Sequence, residues 1–149
     1  MYSNEEGAAK CTVCGVGTAG NGCQPCARGE YRDRTNNATK CLKCPAGYIS
    51  ETKGSGSCLP CIPGEFQKYA GLWACNQCNF NEYSKSVHST SCLPCKLGEL
   101  TTEKGSAACS KCDVGMFGDW TAGECVNCPA GYYQDGKGAI KVCYSLTLS

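Results

Sequence analysis

"CLKCPAGYISETKGSGSCLPC", residues 41–61, holds two Cys-x-x-Cys pairs separated by thirteen residues. Such spacing serves three chemistries: thiolates around zinc, a redox dithiol, or loops stapled by disulfides. The choice among them decides the fold, and the rest of the chain supplies the criteria.

Composition narrows the choice. The chain has 149 residues, yet Leu, Ile, Val and Phe together make only 20 of them. So small a share of core-forming side chains goes with disorder when net charge is high, but here the formal charge is +1. The compensating excess is cysteine, 17 residues, the mark of a scaffold cross-linked in place of a core. The 14 basic and 13 acidic side chains are interspersed. They form neither the basic stripe of a nucleic-acid binder nor a membrane-surface patch. No apolar run reaches the ~18 residues of a membrane span. The opening "MYSNEEGAAK", residues 1–10, reads as a polar N-terminal extension and not as a secretion signal. A secreted chain of this kind is then expected to be a processed product or part of a longer protein.

The cysteines repeat. First members of successive pairs stand at 11, 23, 41, 58, 75, 92, 109 and 125, and the four steps from 41 to 109 are 17 residues each. A lone Cys143 falls where a ninth pair would begin. Residues 11–143 therefore read as a tandem array of about eight units, followed by a strand-like tail at 144–149. Each pair is followed by one short phrase, as in "CPAGYI", "CIPGEF" and "CNFNEY". Its fourth residue is Gly17, Gly29, Gly47, Gly64, Asn81, Gly98, Gly115 or Gly131, which are residue types that tolerate positive φ. Two residues on stands a large side chain in most units, as at Tyr31, Ile49, Phe66, Tyr83, Leu100, Phe117 and Tyr133. A second turn is expected four residues before the next pair, at Asn37, Gly54, Gly71, His88 and Gly105. The expected fold is small and disulfide-rich: an elongated, solenoid-like ladder of short two-turn loops, with minimal β-structure and almost no helix.

Zinc sites would group the pairs in twos, with different spacing inside and between fingers, whereas here the spacing is uniform. A redox pair needs a βαβ setting that the chain lacks. Staples account for more. If the second cysteine of each pair bonds the first of the next, the bridges are Cys14–Cys23, Cys26–Cys41, Cys44–Cys58, Cys61–Cys75, Cys78–Cys92, Cys95–Cys109, Cys112–Cys125 and Cys128–Cys143. Cys11 is then left over, for an intermolecular bond or a free thiol. Bonds between alternate cysteines of adjacent pairs remain open as the rival pattern.

"CPAGYISETKGSGSCLPC" (44–61) and "CPAGYYQDGKGAIKVC" (128–143) resemble the ephrin-receptor-like cysteine-rich repeat of extracellular proteins. The loop is also similar to the first loop of tumour-necrosis-factor-receptor cysteine-rich modules, which a bond between its own ends closes. That resemblance implies the neighbour-to-neighbour pairing. It covers about residues 26–143, and departs at "CNFNEY" (78–83) and at the short first unit.

Site chemistry is sparse. No catalytic constellation, cofactor motif or metal-ligand set stands out, and His88 reads as a turn residue. Glu30, Glu65, Glu82 and Glu99 recur at one repeat position and read as a solvated edge. "NAT" at Asn37 is an N-glycosylation acceptor. Tyr144, Leu146 and Leu148 alternate along the tail, which has no evident strand partner of its own and is expected to contact another copy. Two functions fit. One is an extracellular structural subunit that polymerises head-to-tail into a filament, coat or stalk. The alternative is a receptor or adhesin ectodomain module binding a protein ligand, for which the aromatic residues look too spread out.

Overall fold

The computed structural model describes residues 13–35, 39–96, 98–119, 121–130, 132–133 and 144–145. No helix occurs among them. Sixteen strands, fourteen of them two residues long, pair antiparallel into eight two-stranded sheets. Strands this short cannot be stable alone, so the covalent cross-links carry the unit.

Seven disulfides join the second cysteine of one pair to the first of the next: Cys14–Cys23, Cys26–Cys41, Cys44–Cys58, Cys61–Cys75, Cys78–Cys92, Cys95–Cys109 and Cys112–Cys125. Cys128 is also disulfide-bonded. Cys11 and Cys143 lie outside the described residues. Units 1 to 7 below are the loops closed by the seven bridges in chain order, and unit 8 follows Cys128.

A unit is built as follows. After its first cysteine the chain makes a tight turn, such as Pro45 to Tyr48, where the Tyr48 N–H donates to the Pro45 carbonyl at 3.0 Å. The third turn residue has φ of 83° at Gly47, 90° at Gly64 and 62° at Asn81. A type II turn requires a positive φ there, which explains the Gly-or-Asn column. A two-residue strand follows, Tyr48–Ile49 in unit 3, and it pairs with the dipeptide inside the next Cys-x-x-Cys, Leu59–Pro60. Between them lies the second turn, with positive φ at Gly54, Gly71, His88 and Gly105. Asn37, at the same position in unit 2, lies outside the described residues.

Sulfur fills the interior. The unit-opening cysteines Cys26, Cys44, Cys61, Cys78, Cys95 and Cys112 are all buried, with Ile49 and Leu100 beside them as the large aliphatic members.

Two parts differ from the expected pattern. Unit 7 is a regular hairpin of four-residue strands, Met116–Asp119 against Glu124–Asn127. The Asp119 carboxylate accepts from the N–H groups of Thr121 and Ala122, and Gly123 has φ 70°, so a local turn closes there and lets the pairing lengthen. The tail, expected to lack a strand partner, has one in its own chain: Tyr144–Ser145 pairs with Tyr132–Tyr133. Cys143 opens the dipeptide position that elsewhere lies inside a Cys-x-x-Cys, so Tyr144 and Ser145 complete unit 8 as Leu59 and Pro60 complete unit 3. Leu146 and Leu148 lie outside the described residues.

The six bridges from Cys26–Cys41 to Cys112–Cys125 each enclose a loop near fifteen residues and should contribute about 3 kcal/mol. Replacing Cys61 and Cys75 together by serine is therefore expected to lower the unfolding free energy in urea by about that amount. A loss of less than about 1 kcal/mol would show that the interactions between units, and not the bridge, hold unit 4.

Candidate functional site: the ladder between units

Successive units are zipped by main-chain hydrogen bonds that recur in register. Between units 3 and 4, the Gly47 N–H donates to the Gln67 carbonyl at 2.7 Å, Gly71 to Cys44 at 2.8 Å, and Ser50 to Leu72 at 3.4 Å. Between units 4 and 5 the same three roles fall to Gly64 and Ser84 at 2.8 Å, His88 and Cys61 at 2.8 Å, and Gln67 and Ser89 at 3.0 Å. Units 2 and 3 repeat the set through Gly29 and Ser50, Gly54 and Cys26, and Arg32 and Ser55. At the next junction Asn81 departs from it: its N–H donates to the Thr101 hydroxyl at 2.7 Å. Both turn residues of a unit thus aim a donor at a neighbour, and positive φ is what turns those N–H groups outward.

Contacts also skip a unit. A Cβ added to Gly17 would overlap the carbonyl oxygen of Gly54, and the same holds for Gly29 against Gly71, Gly47 against His88, and Gly64 against Gly105. In units 1 to 4 the first turn therefore meets the second turn of the unit two places along. An array in which only adjacent units touch, the simplest expectation for a linear repeat, is not what forms. The first-turn glycines carry two demands at once, a left-handed backbone and room for a passing main chain. His88 answers the second-turn demand with φ 54°, and its ring stacks on Tyr48 of unit 3 at 5.8 Å and 8°.

A buried polar column lines the junctions: Arg32, Ser50, Gln67, Ser84 and Thr101, none more than 3% exposed. The side chains of three of them close their own second turn. The Ser50 hydroxyl donates to Ser55 Oγ at 2.7 Å, that of Ser84 to Ser89 Oγ at 2.6 Å, and Gln67 Nε2 donates to the Ala74 carbonyl at 2.7 Å. Arg32 instead reaches back to the short first unit. Its guanidinium donates to the carbonyls of Cys14, Gly15 and Thr18, replacing turn groups that unit 1 is too short to supply. Sequence reasoning passed over this column. Its signal was one polar residue straight after the large side chain in each of five units.

The recurring acids are half-buried, on strands. Glu30 faces Lys43 and Glu99 faces Lys111 across the sheets, whereas Glu65 faces Gln77 and Glu82 faces Pro94. Neighbours so unlike one another do not make a uniform ligand ladder. Among the described residues no group of three His, Cys, Asp or Glu side chains is placed to hold a metal ion. Nor is any helix among them long and apolar enough to cross a membrane. What the site offers chemically is a set of main-chain donors and acceptors repeated once per unit.

The next-but-one contact can be measured. Gly64→Ala and Gly54→Ala both place alanine at positive φ, costing about 1–2 kcal/mol each. At Gly54 the new Cβ meets the Pro25 Cβ at 3.6 Å and the Gly17 carbonyl oxygen at 3.9 Å, both ordinary contacts. Gly64→Ala should cost about 1–3 kcal/mol more in urea unfolding, the usual size of an overpacking term.

A family model described as tyrosine-protein kinase ephrin type A/B receptor-like matches residues 16–57 and again 47–91. A search of curated proteins found no match to the chain. The two matched stretches span the units whose ladder bonds are most regular.

Proposed function

The chain belongs to the tyrosine-protein kinase ephrin type A/B receptor-like family, and from that premise we propose that it is an extracellular structural protein whose units stack head-to-tail into a filament, coat or stalk. Disulfides at this density persist in oxidising surroundings, which supports a location outside the cell or on its surface. The observation that carries the assembly reading is the sameness of the junctions. Each asks of its neighbour mainly main-chain groups at fixed places, so a unit from another copy answers as well as one from the same chain. No catalytic role is proposed.

In this reading Tyr144 acts through unit 8, which it helps complete, and Leu146 and Leu148 reach the next copy. Cys11 is buried in that contact or bonded to a segment outside this sequence, and Asn37 carries an N-linked glycan, to be read by mass spectrometry of its tryptic peptide from native material. One observation favours the alternative, a receptor or adhesin module that engages a protein ligand: two exposed aromatic side chains on the loop of unit 4.

Electron microscopy of the native protein tests the assembly. Filaments with a regular subunit rise are expected, and short dispersed rods would sink the reading. Truncation after Ser145 keeps the strand pair of unit 8, and should abolish filaments while leaving a folded monomer. Filaments of unchanged rise from the truncated chain would move the contact away from Leu146 and Leu148.

A further inference from the structure

The second-turn loops of units 3, 5 and 6 are small and polar: "ETKGSGS" (51–57), "KSVHSTS" (85–91) and "TEKGSAA" (102–108). That of unit 4 is "KYAGLWA", residues 68–74. Its Tyr69 is 62% exposed and its Trp73 is 53% exposed. The rings at the strand position, Tyr31, Phe66, Tyr83 and Phe117, are half-buried, and Phe80 in the first turn of unit 5 is exposed but has no second ring on its turn. Burial therefore separates two populations of aromatic residue that the sequence runs together, and two of the exposed ones share a single loop.

That loop is held at four points. Buried Gln67 ties both of its ends, accepting from the Tyr69 N–H at 3.2 Å and donating to the Ala74 carbonyl at 2.7 Å. The Gly71 N–H donates to Cys44, and the Leu72 carbonyl accepts from Ser50, both in unit 3. The Cys61–Cys75 bridge then closes the loop. Ser50 and Ser84, at the position of Gln67, are too short to span a loop this way and bond a serine hydroxyl instead. Rings shown on a backbone already fixed bind at lower entropic cost, and Trp and Tyr are the commonest anchors of protein interfaces.

Charge gives the partner its sign. No carboxylate lies in the sequence between Glu65 and Glu82. The Lys68 ammonium sits 5.5 Å from the centre of the Tyr69 ring, and the aliphatic stem of Lys43 runs along Gly71. Lys43 stands opposite Glu30 across its strand pair, so Lys68 supplies the loop's own positive charge. Lys68 also borders a groove lined by Ala46, Phe66, Asn79 and Glu82, and neither of the two exposed rings lines it.

We infer that residues 68–74 of unit 4 form a binding site for a protein partner, whose segment presents an acidic side chain to Lys68 beside an aromatic or large aliphatic residue packed on Tyr69 and Trp73. The site does not depend on the assembly reading, because it uses the flank of one unit and not the ends of the array.

The test selects short random displayed peptides against the intact chain and screens them on Trp73→Ser, a change at an exposed ring that leaves the loop's four anchor bonds in place. Peptides pairing Asp or Glu with an aromatic or large aliphatic residue should emerge. Their affinity should fall about thirtyfold on Trp73→Ser, the loss expected of an interface anchor, and stay close to wild type on Trp73→Phe. Lys68→Gln should weaken them several-fold and flatten their salt dependence. An unchanged disulfide map in each variant confirms the fold. The inference is overturned if no peptides converge, if they bind Trp73→Ser as well as wild type, or if heparin oligosaccharides saturate the loop where peptides do not, which would make it an anionic-glycan site.

Discussion

At the first turn of units 1 to 7 the chain passes through a positive φ, and the rest of the array depends on that one backbone state. It turns the residue's N–H toward the next unit, as Gly47 does to Gln67, while its carbonyl accepts from the cysteine that opens that next unit, as Gly47 does from Cys61. It also brings the main chain against the second turn of the unit two places on, where a side chain at Gly47 or Gly64 would collide. In units 1 to 4 a single residue thereby serves adjacent and next-but-one neighbours together. The disulfide makes this affordable by holding a loop with almost no apolar core in the shape that aims those groups. Polar satisfaction, not hydrophobic burial, then fixes how units sit on one another, and the buried column of Arg32, Ser50, Gln67, Ser84 and Thr101 follows from that.

How much of this was legible follows from which interactions leave a trace in residue type. Positive φ leaves a strong one, since few side chains tolerate it, so Gly47, Asn81, Gly54 and His88 could all be read as turn residues from their spacing alone. Bridges leave a strong trace as well, because Cys44 to Cys58 and Cys61 to Cys75 repeat at one interval. Main-chain bonding leaves almost none. Any residue can donate an N–H, so the partners of Gly71 and Ser50 in neighbouring units were invisible, and with them the reach to the next-but-one unit. The tail misled for the same reason. Alternation along Tyr144 to Leu148 marks a strand without naming its partner, which is Tyr132–Tyr133 of its own chain. The loop of unit 4 was hidden by a sum over aromatic residues. Tyr69 and Phe66 look alike in sequence, and only burial separates a ring that packs from a ring on display.

Scaffold and binding surface are compatible in such an array. Its junctions consume turn groups and the cysteine-lined interior, leaving the second-turn side chains free to vary. Units 3, 5 and 6 fill that freedom with serine, glycine and charge, and unit 4 fills it with Tyr69 and Trp73 while keeping every ladder bond at Gly71 and Leu72. A repeat family can then serve as inert spacer and as recognition element by changing loops without disturbing the stack.

Native-state hydrogen exchange, resolved to single amides, tests the central claim most directly. If the ladder holds the units together, the amides of Gly47, Gly64, Gly71, His88 and Gly105 should be protected together and to a similar degree, although they lie in turns and some beside exposed side chains. If these five exchange as fast as an open loop while the bridges stay intact, the disulfides alone hold the units, and the main-chain ladder is not what organises the array.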